Sequence, residues 1–95
     1  MTAKYRIKMT FRLTGRGIVL VGYIEEGVVS AGDYIEFTAF DKKRKRRITG
    51  VGSLTKVDSD DKINTGLLIE CEDETEIEEL RRWKPMDEIG LIAKD

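Results

Sequence analysis

Histidine is absent from this chain, and cysteine and proline each occur once. Without histidine, Ser–His and Cys–His nucleophile pairs cannot form, and most zinc sites lose a preferred ligand. The single cysteine, Cys71, cannot form an internal disulfide and is typical of a reducing compartment. We therefore expect no catalytic residues, no metal ion and no cofactor.

Long hydrophobic runs are also absent. No stretch approaches the roughly 18 apolar residues that would span a bilayer, and the N-terminal residues lack a secretory apolar segment. The 95 residues predict a single domain over residues 1–95. We expect a soluble, cytoplasmic protein that does not associate with membranes.

Phosphate-binding loops are missing as well. The sequence contains no GxxxxGK[ST] motif, and Gly15-x-Gly17 is followed by Leu20 where a dinucleotide fingerprint needs its third glycine. Residues 87–90 have the DxxG form of a GTPase switch, which we interpret as a chance match. We expect no nucleotide binding and no GTP hydrolysis, and we do not expect an enzyme.

The apolar residues that are present fall into six short, β-rich runs separated by turn signals. The first run alternates strictly between apolar and polar residues from Tyr5 to Leu13, which predicts a half-buried strand. Six such strands fit an all-β, small closed barrel, in which closure removes exposed strand edges. The residues assigned to the strands are Tyr5, Ile7, Met9, Phe11 and Leu13; Ile18 to Ile24; Ile35, Phe37 and Ala39; Ile48, Val51 and Leu54; Leu67, Leu68, Ile69 and Cys71; and Ile89, Leu91 and Ala93.

One segment departs from this pattern. Ile77, Leu80 and Trp83 recur every three residues, with Asp73 or Thr75 available as an N-cap and Pro85 as a stop signal. The sequence therefore predicts one short helix or helical turn near residues 74–83, covering one end of the barrel.

Glycines recur at regular intervals between Phe11 and Asp33, in the pattern Gly15-Arg16-Gly17, Val19, Gly22, Glu25 or Glu26, Gly27 and Gly32-Asp33. This spacing resembles that of domain two of translational GTPases such as elongation factor Tu. The resemblance implies a Greek-key barrel, here as a stand-alone domain without the GTPase domain. In that family the domain helps to hold the acceptor end of transfer RNA and contacts the small ribosomal subunit.

The resemblance also bears on the site residues. Asn64 matches the family's asparagine at an acceptor-end position. In the stretch Gly50–Lys56, however, Gly52 replaces a glutamate and Thr55 an arginine, so two polar contacts to the transfer RNA end are missing.

Charge is distributed unevenly along the chain. Residues 1–56 contain 12 Lys/Arg against 5 Asp/Glu, whereas residues 57–95 contain 5 against 13. Six consecutive cations stand between the third and fourth strands, where we expect a hairpin loop that runs into the fourth strand, and Arg16 at the first hairpin is a further candidate for phosphate binding. The acidic stretch Asp58–Asp61 is interpreted as a loop tip. The six cations are Lys42, Lys43, Arg44, Lys45, Arg46 and Arg47.

Two hypotheses follow from these cations. In the first, the barrel binds RNA or a ribonucleoprotein, including the ribosome, through backbone phosphates. In the second, it is a protein-interaction or homo-oligomerising module in which the acidic 70–79 region meets the basic loop of a neighbour. A basic run that only increases solubility or protects a strand edge is the structural alternative to both.

Overall fold

The fold is a closed antiparallel barrel with one short helix, seen in a computed structural model that describes residues 2–53 and 65–94. Within those ranges the elements are β1 (Thr2–Leu13), β2 (Gly17–Glu26), β3 (Tyr34–Ala39), β4 (Lys42–Ser53), β5 (Thr65–Ile69), α1 (Glu74–Arg82) and β6 (Glu88–Ala93). The strand order around the barrel is β1-β2-β5-β4-β3-β6. Because β3, β4 and β5 are sequential neighbours and β2 lies beside β5, the connection is a Greek key. The predicted fold class is confirmed.

The barrel interior is filled by alternate side chains of the strands together with one residue of the helix. The hydroxyl group of Tyr5 lies 2.9 Å from the carbonyl oxygen of Leu20 and 2.6 Å from that of Thr65. Burial raises the pKa of this phenol well above its ordinary value. The buried hydroxyl of Tyr5 is therefore satisfied by hydrogen bonds within an otherwise apolar cluster of side chains. The largest fully buried side chains are Tyr5, Phe37, Ile7, Ile18, Leu20, Ile35, Ile48, Leu67, Ile69, Leu80 and Ile92.

A β-bulge interrupts the pairing of β1 with β2. Ile7 lies opposite Gly22 and Met9 lies opposite Val21, so Lys8 is an extra residue in β1. The backbones of β1 and β2 approach so closely that a Cβ atom on Gly22 would lie 1.8 Å from the carbonyl oxygen of Arg6. Glycine is therefore required at this position by close backbone approach.

The bulge reverses the faces of β1 beyond Ile7. The sequence predicted Met9, Phe11 and Leu13 on the inner face with Tyr5 and Ile7, and this prediction is wrong because one extra residue exchanges inward and outward positions. All three apolar side chains are largely exposed. The opposite face of this segment meets α1: the hydroxyl of Thr10 donates to the carbonyl of Leu80 at 2.6 Å, and the exposed side chain of Arg12 pairs with Glu74 and Glu78.

Helix α1 agrees with its prediction. Asp73 is the N-cap, and its Oδ1 accepts a hydrogen bond from the backbone N–H of Glu76 at 2.9 Å. Leu80 joins the barrel core, and the ring of Trp83 stacks on Phe37 with the centroids 5.4 Å apart. Across the two described ranges, no helix combines the length and apolar character that a bilayer crossing requires.

Candidate polyanion-binding surface

The six consecutive cations lie in a strand and not in a loop. Phe40 and Asp41 form the two-residue turn between β3 and β4, with φ of 54° and 61°, and Lys42 already pairs with Ala39. Positive φ at both central residues is the signature of a type I′ hairpin turn. The expected hairpin loop was misplaced because these two residues carry no glycine or asparagine signal.

Strand geometry divides the six cations into two groups. Successive side chains of β4 point to opposite faces of the sheet. Arg44 and Arg46 therefore point towards α1, whereas Lys43, Lys45 and Arg47 point outward and are exposed. Lys42 is exposed at the start of the strand.

The inward pair surrounds one carboxylate of the helix. Oε2 of Glu76 lies 3.0 Å from Nη1 of Arg44 and 2.5 Å from Nη2 of Arg46. Oε1 of Glu76 accepts a hydrogen bond from Nε of Arg46 at 2.9 Å and from the backbone N–H of Glu72 at 2.7 Å. The cluster links β4 to α1. Two of the six cations are therefore engaged in ion pairs within the molecule.

The protonation of this cluster follows from its contacts. Burial opposes ionisation of Glu76, but hydrogen bonds from Arg46, the Glu72 backbone and Arg44 outweigh it and lower the pKa of the carboxyl. The hydrogen bond to Glu76 raises the pKa of Arg46. Glu76 and Arg46 are therefore both charged at neutral pH. Arg44 and Arg46 are bound by this carboxylate and are poorly placed to meet a phosphate.

The outward row of β4, Lys43, Lys45 and Arg47, is a cationic ribbon. Alternate residues of a strand stand about 7 Å apart, which is within the Debye length of about 8 Å at physiological salt. No carboxylate of residues 2–53 or 65–94 forms an ion pair with any of the three. The three charges therefore lie close enough to act together, with Glu36 of β3 paired opposite Lys45 on the neighbouring strand.

An aromatic ring lies beside this cationic ribbon. Nζ of Lys45 is 5.3 Å from the centroid of the Tyr34 ring on β3, in a cation–π contact. Tyr34, Lys45 and Arg47 line an open groove of about 470 Å³ together with Glu70 and Glu72. The groove therefore has basic, aromatic and acidic residues in its lining.

Arg16 occupies a separate position, in the turn between β1 and β2. Its backbone N–H donates to the carbonyl of Leu13 at 2.9 Å. It lines a groove of about 230 Å³ that also includes Glu70 and Glu74. Because Glu70 lines both grooves, Arg16 and the cationic ribbon lie on either side of an acidic segment and do not form one continuous positive surface.

Other residues singled out in the sequence are only partly described. Asn64, Thr55, Leu54 and the acidic stretch Asp58–Asp61 lie outside the described residues. Cys71 follows β5, and burial is the main cause that raises the pKa of its thiol to about 11. The Arg44–Glu76–Arg46 cluster was missed by sequence reasoning. Its available signal was the alternation of cations in a strand followed by an acidic helix.

No family model matches this sequence.

Proposed function

We propose that this barrel is a non-catalytic RNA- or ribonucleoprotein-binding module that contacts backbone phosphates through the cationic ribbon. The observation that carries the proposal is that Lys43, Lys45 and Arg47 are exposed on one strand face without carboxylate partners among the described residues. The resemblance to domain two of translational GTPases supports the same class of partner. Tyr34, held beside Lys45, offers an adjacent aromatic surface to a base or sugar.

The number of available cations sets the expected salt dependence. With a slope near −0.9 per phosphate contact, three contacts predict an affinity loss of about 40-fold between 50 and 200 mM salt. Six contacts would predict a loss of about a thousandfold or more. Because Arg44 and Arg46 are bound by Glu76, and Lys42 at the start of β4 is not part of the outward row, we expect the smaller value.

Fluorescence anisotropy of a labelled structured RNA tests the proposal. The test variant carries Lys43→Gln, Lys45→Gln and Arg47→Gln, and the matched control carries Lys4→Gln, Arg82→Gln and Lys84→Gln at exposed positions elsewhere. We expect the test variant to lose binding while the control retains it at equal net charge. Equal loss in both variants would show that binding depends on overall charge, or on the cations around Arg82 as much as on the cationic ribbon, and would overturn the proposal.

The alternative of self-association through opposite charges is weakened by the ion-pair cluster. The acidic helix and the basic strand already meet within one molecule, through Glu76, Arg44 and Arg46. Fewer of these charges are left for a neighbouring copy. Light scattering at 50 and 500 mM salt distinguishes the two: a dimer that dissociates with salt would favour the alternative.

A further inference from the structure

Two tight turns at one end of the barrel hold large apolar side chains in an unfavourable backbone conformation. Phe40 has φ of 54° and Met86 has φ of 49°, and each is followed by an aspartate that also has positive φ. The Met86 turn is closed by a hydrogen bond from the N–H of Glu88 to the carbonyl of Pro85 at 3.1 Å. The two turns lie at the same barrel end, where the N–H of Thr38 donates to Oε2 of Glu88 at 3.1 Å.

The turns require this backbone conformation but do not require large apolar side chains at these two positions. Residues with a Cβ atom are disfavoured at positive φ, where glycine and asparagine are common. Burial does not offset this cost, because Phe40 is 56% and Met86 is 86% exposed. Strained backbone that carries exposed apolar groups is characteristic of functional sites.

A groove of about 670 Å³ lies beside Met86, between β1 and the C-terminal end of α1. Its apolar lining consists of Met9, Trp83, Pro85 and Met86. Its remaining lining includes four cations and no carboxylate of the described residues. These cations are Lys8, Arg81, Arg82 and Lys84.

The cations of this groove differ in their partners. Lys8 forms an ion pair with Asp87 at 2.6 Å, and Arg81 forms one with Glu78 at 2.8 Å. Arg82 and Lys84 form no ion pair with any carboxylate in the two described ranges. The groove therefore combines an apolar surface with an excess of positive charge.

We propose that this groove docks an acidic segment of a partner protein that inserts an apolar side chain between Met9, Trp83 and Met86. Charge complementarity selects an acidic partner. The aliphatic lining of Met9, Pro85 and Met86 favours an apolar peptide side chain over an RNA strand, whose bases carry polar edges. Methionine side chains adapt to apolar anchors of different shapes.

Trp83 is the single tryptophan of the chain, so its fluorescence reports on this groove directly. The probe is a tryptophan-free peptide in which four glutamates flank a central Leu-Phe pair. We expect a saturable change in Trp83 emission that weakens with salt. The comparison probes are the same peptide with Leu-Phe replaced by Ser-Gly, a lysine counterpart, and the structured RNA used above.

Several results of these titrations would overturn the proposal. One is the absence of saturable change up to about 1 mM acidic peptide. Another is equal binding of the Ser-Gly or the lysine peptide. An emission change caused by RNA and competing with the peptide would assign the groove to nucleic acid instead, and a change that depends only on protein concentration would assign it to a second copy.

Two substitutions separate binding from folding. Met86→Asn and Phe40→Asn place a residue that tolerates positive φ at each turn and remove the exposed apolar group. We expect each variant to melt a few degrees higher than the native protein. The Met86→Asn variant should bind the acidic peptide at least about fivefold more weakly. A more stable variant that binds unchanged would contradict the proposed site.

Discussion

Arg44 and Glu76 form an ion pair in which Nη1 of the arginine lies 3.0 Å from Oε2 of the carboxylate, with side chains only 3% and 5% exposed. The pair joins the middle of the basic run to the acidic helix. The same carboxylate also accepts hydrogen bonds from Arg46 and from the backbone N–H of Glu72, so it joins two guanidinium groups and the start of the helix.

Replacement of Glu76 by glutamine should be strongly destabilising. It leaves the buried guanidinium of Arg44 without its closest anionic partner, and loss of one member of a buried pair typically costs about 3–5 kcal/mol. Urea unfolding measures this cost. The control is Glu74→Gln, whose exposed pair with Arg12 should contribute less than about 1 kcal/mol. A smaller loss for Glu76→Gln than for Glu74→Gln would contradict the prediction.

Stability should decline in acid through the same carboxylate. Hydrogen bonds hold the folded-state pKa of Glu76 below its ordinary value of 4.5 despite its burial. The unfolded chain therefore takes up this proton at higher pH, so the stabilisation is present above about pH 4.5 and is lost as the pH falls through the folded-state pKa. Unfolding free energies between pH 7 and pH 3 should fall more steeply for the native protein than for Glu76→Gln. Parallel curves would contradict this.

Substitution within the basic run should affect stability and RNA binding separately. Arg44→Gln with Arg46→Gln removes the partners of Glu76 and should lower the unfolding free energy by several kcal/mol. Lys43→Gln with Lys45→Gln changes the charge equally but alters exposed residues, so stability should change by no more than about 0.5 kcal/mol per site. Thermal melting and RNA titration of both double variants test whether the inward arginines stabilise the fold while the outward lysines bind RNA. Equal destabilisation by the two double variants would contradict this separation of roles.

Gly22→Ala should be among the most damaging single-methyl changes. The added Cβ would meet the carbonyl oxygen of Arg6 at 1.8 Å, so the bulge between β1 and β2 must open. We expect a loss of about 3 kcal/mol or more, as for severe overpacking. Gly52→Ala is the matched control, because nothing lies within 4 Å of its added Cβ. Its stability should stay within about 0.5 kcal/mol of the native value.

The thiol of Cys71 should react slowly. Burial raises its pKa to about 11, so little thiolate is present at pH 8. Alkylation by iodoacetamide should be at least about tenfold slower in the folded protein than in urea. Mass spectrometry over time measures both rates. Similar rates in the two states would show that the thiol is not protected.

The sequence was sufficient for the barrel and the helix because local patterns specify both. Ile35, Phe37 and Ala39 alternate into the core as predicted, and Asp73 caps the helix. The outward orientation of Phe11 could not be predicted, because one bulge residue near Lys8 inverts every position after it.

The candidate site was predicted less completely than the fold. The position of the cations was evident, but their separate roles depended on the location of the turn at Phe40 and Asp41. That location fixes which alternate residues of β4 face the helix. The partnership of Arg44 with Glu76 joins residues 32 positions apart, and no local pattern specifies such a pair.

The closure of the barrel by β6 has a consequence for the order of folding. β6 pairs with β1 on one side and with β3 on the other, so those two strands have unpaired edges until residues 88–93 are in place. During synthesis, residues 2–53 must leave the ribosome before their closing strand exists. An open sheet with two exposed edges is prone to pairing between chains, so the barrel is most vulnerable to aggregation in the interval before β6 has been synthesised and has closed it.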